Sequence, residues 1–181
     1  MTAAPHRAGS VGTMATTADL VLDALGRVRE TVHEVLDETP RERLAEPPAE
    51  GANTVAWLVW HLSRLLDDHV AAAFGVEQVW TSAGWYDRFG LPFPAAAHGY
   101  GHSARDVLAV RASPDDLRAY HDAAQDMAAA VLRDVTDRDL DRVVDERWDP
   151  PVTLAVRLVS VLNDCAQHAG QAAYVRGLLT R

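Results

Sequence analysis

Four stretches of this chain place apolar residues in steps of three and four, each bracketed by helix start and stop signals. That rhythm draws one stripe along a helix and none along a strand, so it constrains the fold more than any other feature. In the first stretch Val21, Leu25, Val28, Val32 and Val35 form the stripe; Thr16-Thr17 offer an N-cap, and Thr39-Pro40 end the helix near Glu38. The second covers about 54–74, capped by Asn53 or Thr54 and closed by Gly75. "SPDDL" at 113–117 opens the third, with serine at the cap, proline at the first position and acids in the first turn. It continues to about Asp134 with Leu117, Tyr120, Ala124, Met127 and Val131 inward. Pro150-Pro151 precede the fourth, at about 152–179. Four long amphipathic helices and no convincing strand run predict an all-α four-helix bundle over 16–181. Residues 1–15 read as a disordered lead-in, in which Met14 is an alternative start.

The connections are uneven. Residues 75–102 hold five glycines and two prolines and read as a long loop between the second and third long helices. A loop of that length is usually functional, because ordering it takes conformational entropy that packing must offset. "HSARDVLAVR" follows as a short helix, and 135–149 is an acid- and arginine-rich connector. The formal net charge is −9, and the 17 basic residues, all arginine, are scattered among 26 acids, which excludes a nucleic-acid surface. The absence of Lys and Ile fits a GC-rich genome. One cysteine, Cys165, excludes an intrachain disulfide and fits a reducing compartment. The longest apolar run, "TVAWLVWHL", is too short to span a bilayer. These features predict a soluble cytoplasmic protein with no membrane partner.

Chemistry enters where polar residues sit against apolar faces. On the fourth helix, at about 100° per residue, the apolar arc spans roughly 60–160° from Asp164, and His168 falls near 40° on its shoulder. Alone, Asp164 and His168 are an exposed i, i+4 pair worth a few tenths of a kcal/mol. On the second helix, His61 occupies the same shoulder position that Asp164 does on the fourth. Two helices presenting such groups at equivalent shoulders point to one convergence in the bundle. His69 is the rival, but it lies roughly 12 Å further along the axis, so the two histidines cannot share an ion. Two imidazoles and a carboxylate suit Zn²⁺, Ni²⁺ or Fe²⁺ and leave positions open for water or substrate. Cys165 reads as a small buried hydrophobe. In the loop motif "HGYGHS", Tyr100 and His102 are candidate substrate contacts, while Ser103 is a helix cap.

The segments "NTVAWLVWHLSRLLDDH" and "DCAQHAGQ" resemble the second and fourth helices of the DinB/YfiT-like superfamily, within it the mycothiol-dependent branch that includes the maleylpyruvate isomerase N-terminal domain. The resemblance spans roughly residues 20–180. It implies a bundle with a divalent metal at one end, ligated here by His61, Asp164 and His168, and a homodimer. Aspartate at 164 departs from the histidine or glutamate of relatives, being one methylene shorter than glutamate. It further implies a low-molecular-weight thiol, mycothiol or bacillithiol, as cosubstrate and Zn²⁺ or Ni²⁺ as the ion. The expected function is thus a metal-dependent thiol S-transferase acting on a small electrophile held under the 75–102 loop, with Trp80, Trp85, Tyr86 and Phe89 as an apolar wall. Two alternatives stand beside it: a hydrolase in which the same ion activates water, and a non-catalytic ligand-binding stress-response module.

Overall fold

The computed structural model describes residues 15–181; the expected lead-in and Met14 lie outside the described residues, apart from Ala15. Seven α-helices are described: α1 (Thr17–Glu38), α2 (Val55–Phe74), α3 (Val79–Ser82), α4 (Trp85–Phe89), α5 (Ala104–Ala109), α6 (Pro114–Leu132) and α7 (Leu154–Leu179). The four long ones form the bundle. Helices α1 and α2 each pack against both α6 and α7, so they sit diagonally across it. Their starts are set by side-chain caps. Thr16 and Asp19 close a capping box on α1, while Thr54, Ser113 and Thr153 accept backbone N–H groups at the starts of α2, α6 and α7. Each such cap is worth about 1 kcal/mol. Gly75 ends α2 in the left-handed conformation that its missing Cβ permits.

Three expectations change. The 75–102 segment is not a plain loop, since it folds α3 and α4, and the connector before α7 contributes a two-stranded antiparallel hairpin, Val143–Asp145 with Val152–Thr153. On α6 the inward face is rotated from the expected one. His121, Gln125, Ala128 and Leu132 are buried, whereas Met127 and Val131 are only half-buried. His121 is accepted there because Ser63 Oγ lies 2.9 Å from its Nδ1 and the Gln125 amide 3.3 Å from its Nε2. Its burial pushes the imidazole down to about 3, so it remains neutral.

Helix α2 explains both the apolar run and the long segment after it. Every residue from Thr54 to Asp67 is buried, on all sides of the helix. A helix buried all round needs cover on the face its bundle neighbours do not reach. The 75–103 segment supplies it, laying Trp80 and Phe93 on Trp60 and packing Trp80 on Tyr120. Buried on that outer face are also Arg64 and Asp67, both 0% exposed, with Arg64 Nη1 3.5 Å from Asp67 Oδ2. Asp67 accepts the Val79 and Trp80 amides at 3.0 and 2.8 Å and the Tyr120 hydroxyl at 3.0 Å. The start of α3 is therefore anchored on a carboxylate of α2. Asp67→Ala leaves the guanidinium uncompensated, and we expect it to lower the unfolding free energy by roughly 3–5 kcal/mol in urea titration, with Asp67→Asn losing less.

Candidate metal and thiol site

His61 lies in the second turn of α2, 6% exposed, with its ring stacked on Trp57 at 4.5 Å. Its Nδ1 meets the His98 carbonyl oxygen. A carbonyl can only accept, so Nδ1 carries the proton and Nε2 carries the lone pair. Burial is the main cause that pushes this imidazole down to about 4, and it stays neutral in ordinary solution.

Helix α7 brings the other two groups. His168 Nε2 stands 3.1 Å from Asp164 Oδ1 and its Nδ1 stands 3.1 Å from Gln171 Oε1, one turn on. The rings of His61 and His168 are 4.6 Å apart, edge to face. All three expected ligands therefore line one open cavity of about 440 Å³, with Trp57, Leu65 and Gly99 in its wall. Among the described residues no three His, Cys, Asp or Glu side chains are already gathered about a single metal position. The donor chemistry nevertheless fits a divalent ion. Both imidazoles are engaged through Nδ1 by an oxygen, the arrangement that fixes a metal-binding tautomer, and the Nε2–Oδ1 spacing at 3.1 Å is close to that of two ligands on one ion at about 2.1 Å.

Of the expected substrate contacts, His102 lines the same cavity and Tyr100 stands at its rim, 88% exposed. The Trp57 indole N–H donates to His102 Nδ1 at 3.2 Å, which leaves His102 an Nε2–H donor. His69 belongs elsewhere. It lines a neighbouring cavity of about 570 Å³ with His98, Asp145 and Arg157, where Arg147 and Arg157 both donate to Asp145 at 2.9 Å. The expected aromatic wall is also corrected. Trp80, Trp85 and Phe89 pack around Tyr120, with Tyr86 against Trp80, and the cavity wall is Trp57 instead. Cys165 is fully enclosed, its thiol 3.7 Å from the Leu62 carbonyl and pushed by burial up to about 12.

Three participants escaped the sequence reading. Gln171 was discoverable, since a residue three places after His168 on a helix faces the same side. The His98 carbonyl was not, because backbone direction in an irregular segment leaves no mark on residue type. Gly99 carried a weak signal as one of several glycines. It has φ +101°, and a Cβ there would stand 2.5 Å from His61 Nδ1 and 3.1 Å from Trp57.

Comparison with known proteins gives a family and a fold. A family model described as Mycothiol-S-transferase matches residues 20–181. A solved structure, the crystal structure of the conserved protein of locus from Enterococcus faecalis, is similar at 31% identity and a TM-score of 0.85. The match covers 91% of this chain and 98% of that one. No curated protein matches the chain.

The tight approach at Gly99 generates a test. Gly99→Ala combines a disfavoured backbone with an overpacked ring, so we expect thermal and urea denaturation to show a loss of roughly 2–4 kcal/mol. The His61 ring resonances should shift in the same variant, whereas Gly101→Ala, where a Cβ meets nothing within 4 Å, should leave them in place.

Proposed function

Because the chain belongs to the mycothiol-S-transferase family of the DinB/YfiT-like superfamily, we propose that it transfers a low-molecular-weight thiol to a small electrophile, using a divalent ion held by His61, Asp164 and His168. The single observation that carries this reading is that both imidazoles lining one cavity are pinned through Nδ1, leaving two Nε2 lone pairs, that of His168 3.1 Å from Asp164 Oδ1. A divalent ion bound there supplies a Lewis acid that lowers the pKa of a thiol. The residues present do the rest. The His98 carbonyl and Gln171 keep the two rings oriented, and Trp57 gives the electrophile an apolar wall. His102, held by the Trp57 indole, offers its Nε2–H to the electrophile or its departing group. In the reaction the thiol proton leaves to solvent, the sulfur forms a bond to the electrophilic carbon, and the leaving group departs with the bonding pair.

Mycothiol or bacillithiol is the cosubstrate class, and Zn²⁺ or Ni²⁺ suits the two-nitrogen, one-oxygen donor set. No described helix is long and apolar enough to cross a membrane; with the single buried cysteine, this supports a cytoplasmic setting. Val156, Val159 and Tyr174 are exposed on α7 and supply an apolar face for the homodimer included in this reading. Light scattering at the monomer mass would remove the dimer from it.

Elemental analysis with a coupled activity assay tests the core. Wild type should purify or reconstitute with about one ion per chain, and His61→Ala and His168→Ala should lose it. Gln171→Ala should keep the fold and bind the ion roughly 10–100-fold more weakly. Conjugation of mycothiol or bacillithiol to a chlorinated nitroarene should exceed background and vanish in His168→Ala. Thiol-independent ester or amide turnover would replace the transferase by a hydrolase, and bound ion without either turnover would favour the binding module.

A further inference from the structure

Three backbone carbonyls of the segment over α2 find their donors on that helix. The Ala95, Ala97 and His98 carbonyl oxygens all turn down onto α2, in a stretch outside any helix or strand. Each needs a donor if it is not to face water. His61 serves the His98 carbonyl, and one side chain serves both of the others. Arg64 Nε donates to Ala97 O at 3.1 Å, and Nη2 reaches Ala95 O at 3.5 Å. Its remaining Nη1 is held at 2.9 Å by Gln78 Oε1 and stands 3.3 Å from the Tyr120 hydroxyl. The Trp80 ring closes one face of the guanidinium, 5.1 Å from its centre.

We infer that Arg64 is the positioning residue of the proposed metal site: by holding the 95–97 backbone against α2, it sets the His98 carbonyl on His61 Nδ1 and so aims the Nε2 lone pair into the cavity. Arg64 and His61 are one turn apart on the same rigid helix, and the held segment ends one residue before His98. The distance between clamp and ring is therefore fixed by helix geometry at one end and a single peptide unit at the other. Arginine suits this task because its planar fork serves several acceptors at once, whereas a lysine ammonium is a single point donor on a flexible stem. Without the clamp, two carbonyls lose their donors and turn outward to water. His98 follows them, and the ring then adopts the Nε2–H form as readily, with its lone pair toward the displaced segment instead of the cavity.

The consequence for ion binding rests on the functional reading above; the orientation of His61 does not, and the test separates the two. Ring ¹⁵N spectra of metal-free wild type and Arg64→Lys, recorded at one neutral pH, report which nitrogen carries the proton. Wild type should show the Nδ1–H pattern, and Arg64→Lys a mixture containing Nε2–H. Zn²⁺ affinity, measured against a competing chelator, should fall about tenfold or more in the same variant. Arg142→Lys, altering another guanidinium that donates to a backbone carbonyl, at Ala73, should leave the ring pattern unchanged. If Arg64→Lys does not fold, Gln78→Ala frees one end of the same guanidinium and should move the ring pattern in the same direction to a smaller extent. A wild-type ring pattern in whichever of these variants is folded would overturn the assignment. Absence of Zn²⁺ binding by wild type would overturn the functional reading alone, since the metal-free spectra would still decide the role of Arg64.

Discussion

A charged guanidinium enclosed on α2 is the interaction on which most of this molecule's irregular structure depends. An arginine at 0% exposure is tolerated only when its charge and its N–H groups are all met. Here the charge is met by Asp67 and the donors by Gln78, Ala95 and Ala97. Those partners come from a segment without long regular structure of its own, so the ion pair organises the cover and the cover encloses the ion pair. Neither half is stable on its own terms. The bundle core would survive as packed leucine and valine, but the outer face of α2 would not have its lid.

This arrangement also explains why the site lies where it does. The bundle presents α2 and α7 side by side, which brings His61 within 4.6 Å of His168. The cover then adds what two helices cannot, namely a backbone oxygen and a close-packed glycine over the ring. Helices give axial spacing with good precision, and irregular backbone supplies groups at angles that no helix surface offers.

The helical part of this was legible from residue order. Stripes of Val and Leu at steps of three and four, with Thr16, Thr54, Ser113 and Thr153 at the starts, mark the four long helices because caps and periodicity are local properties. Placing His61, Asp164 and His168 on one cavity was legible too, since wheel angle is a local property of each helix. The cover was not. Its two short helices are stabilised by Asp67 and by tryptophan packing on α2, contacts made across the chain that no window of neighbouring residues records. The same reason explains the face of α6. His121 and Gln125 look like surface residues in the sequence, and only Ser63 of another helix and the Leu25 carbonyl make them interior ones.

Cys165 sits next in sequence to Asp164, yet it turns inward, sealed in the core with its thiol held protonated. For the thiol transfer proposed above this has a chemical meaning. A protein thiol exposed beside the cavity would compete with the diffusible one for every electrophile, and each success would be a permanent self-alkylation. In that reaction, sealing the only sulfhydryl of the chain away would leave the free small-molecule thiol as the one sulfur nucleophile. A protein running that reaction would meet reactive carbon repeatedly without becoming its target.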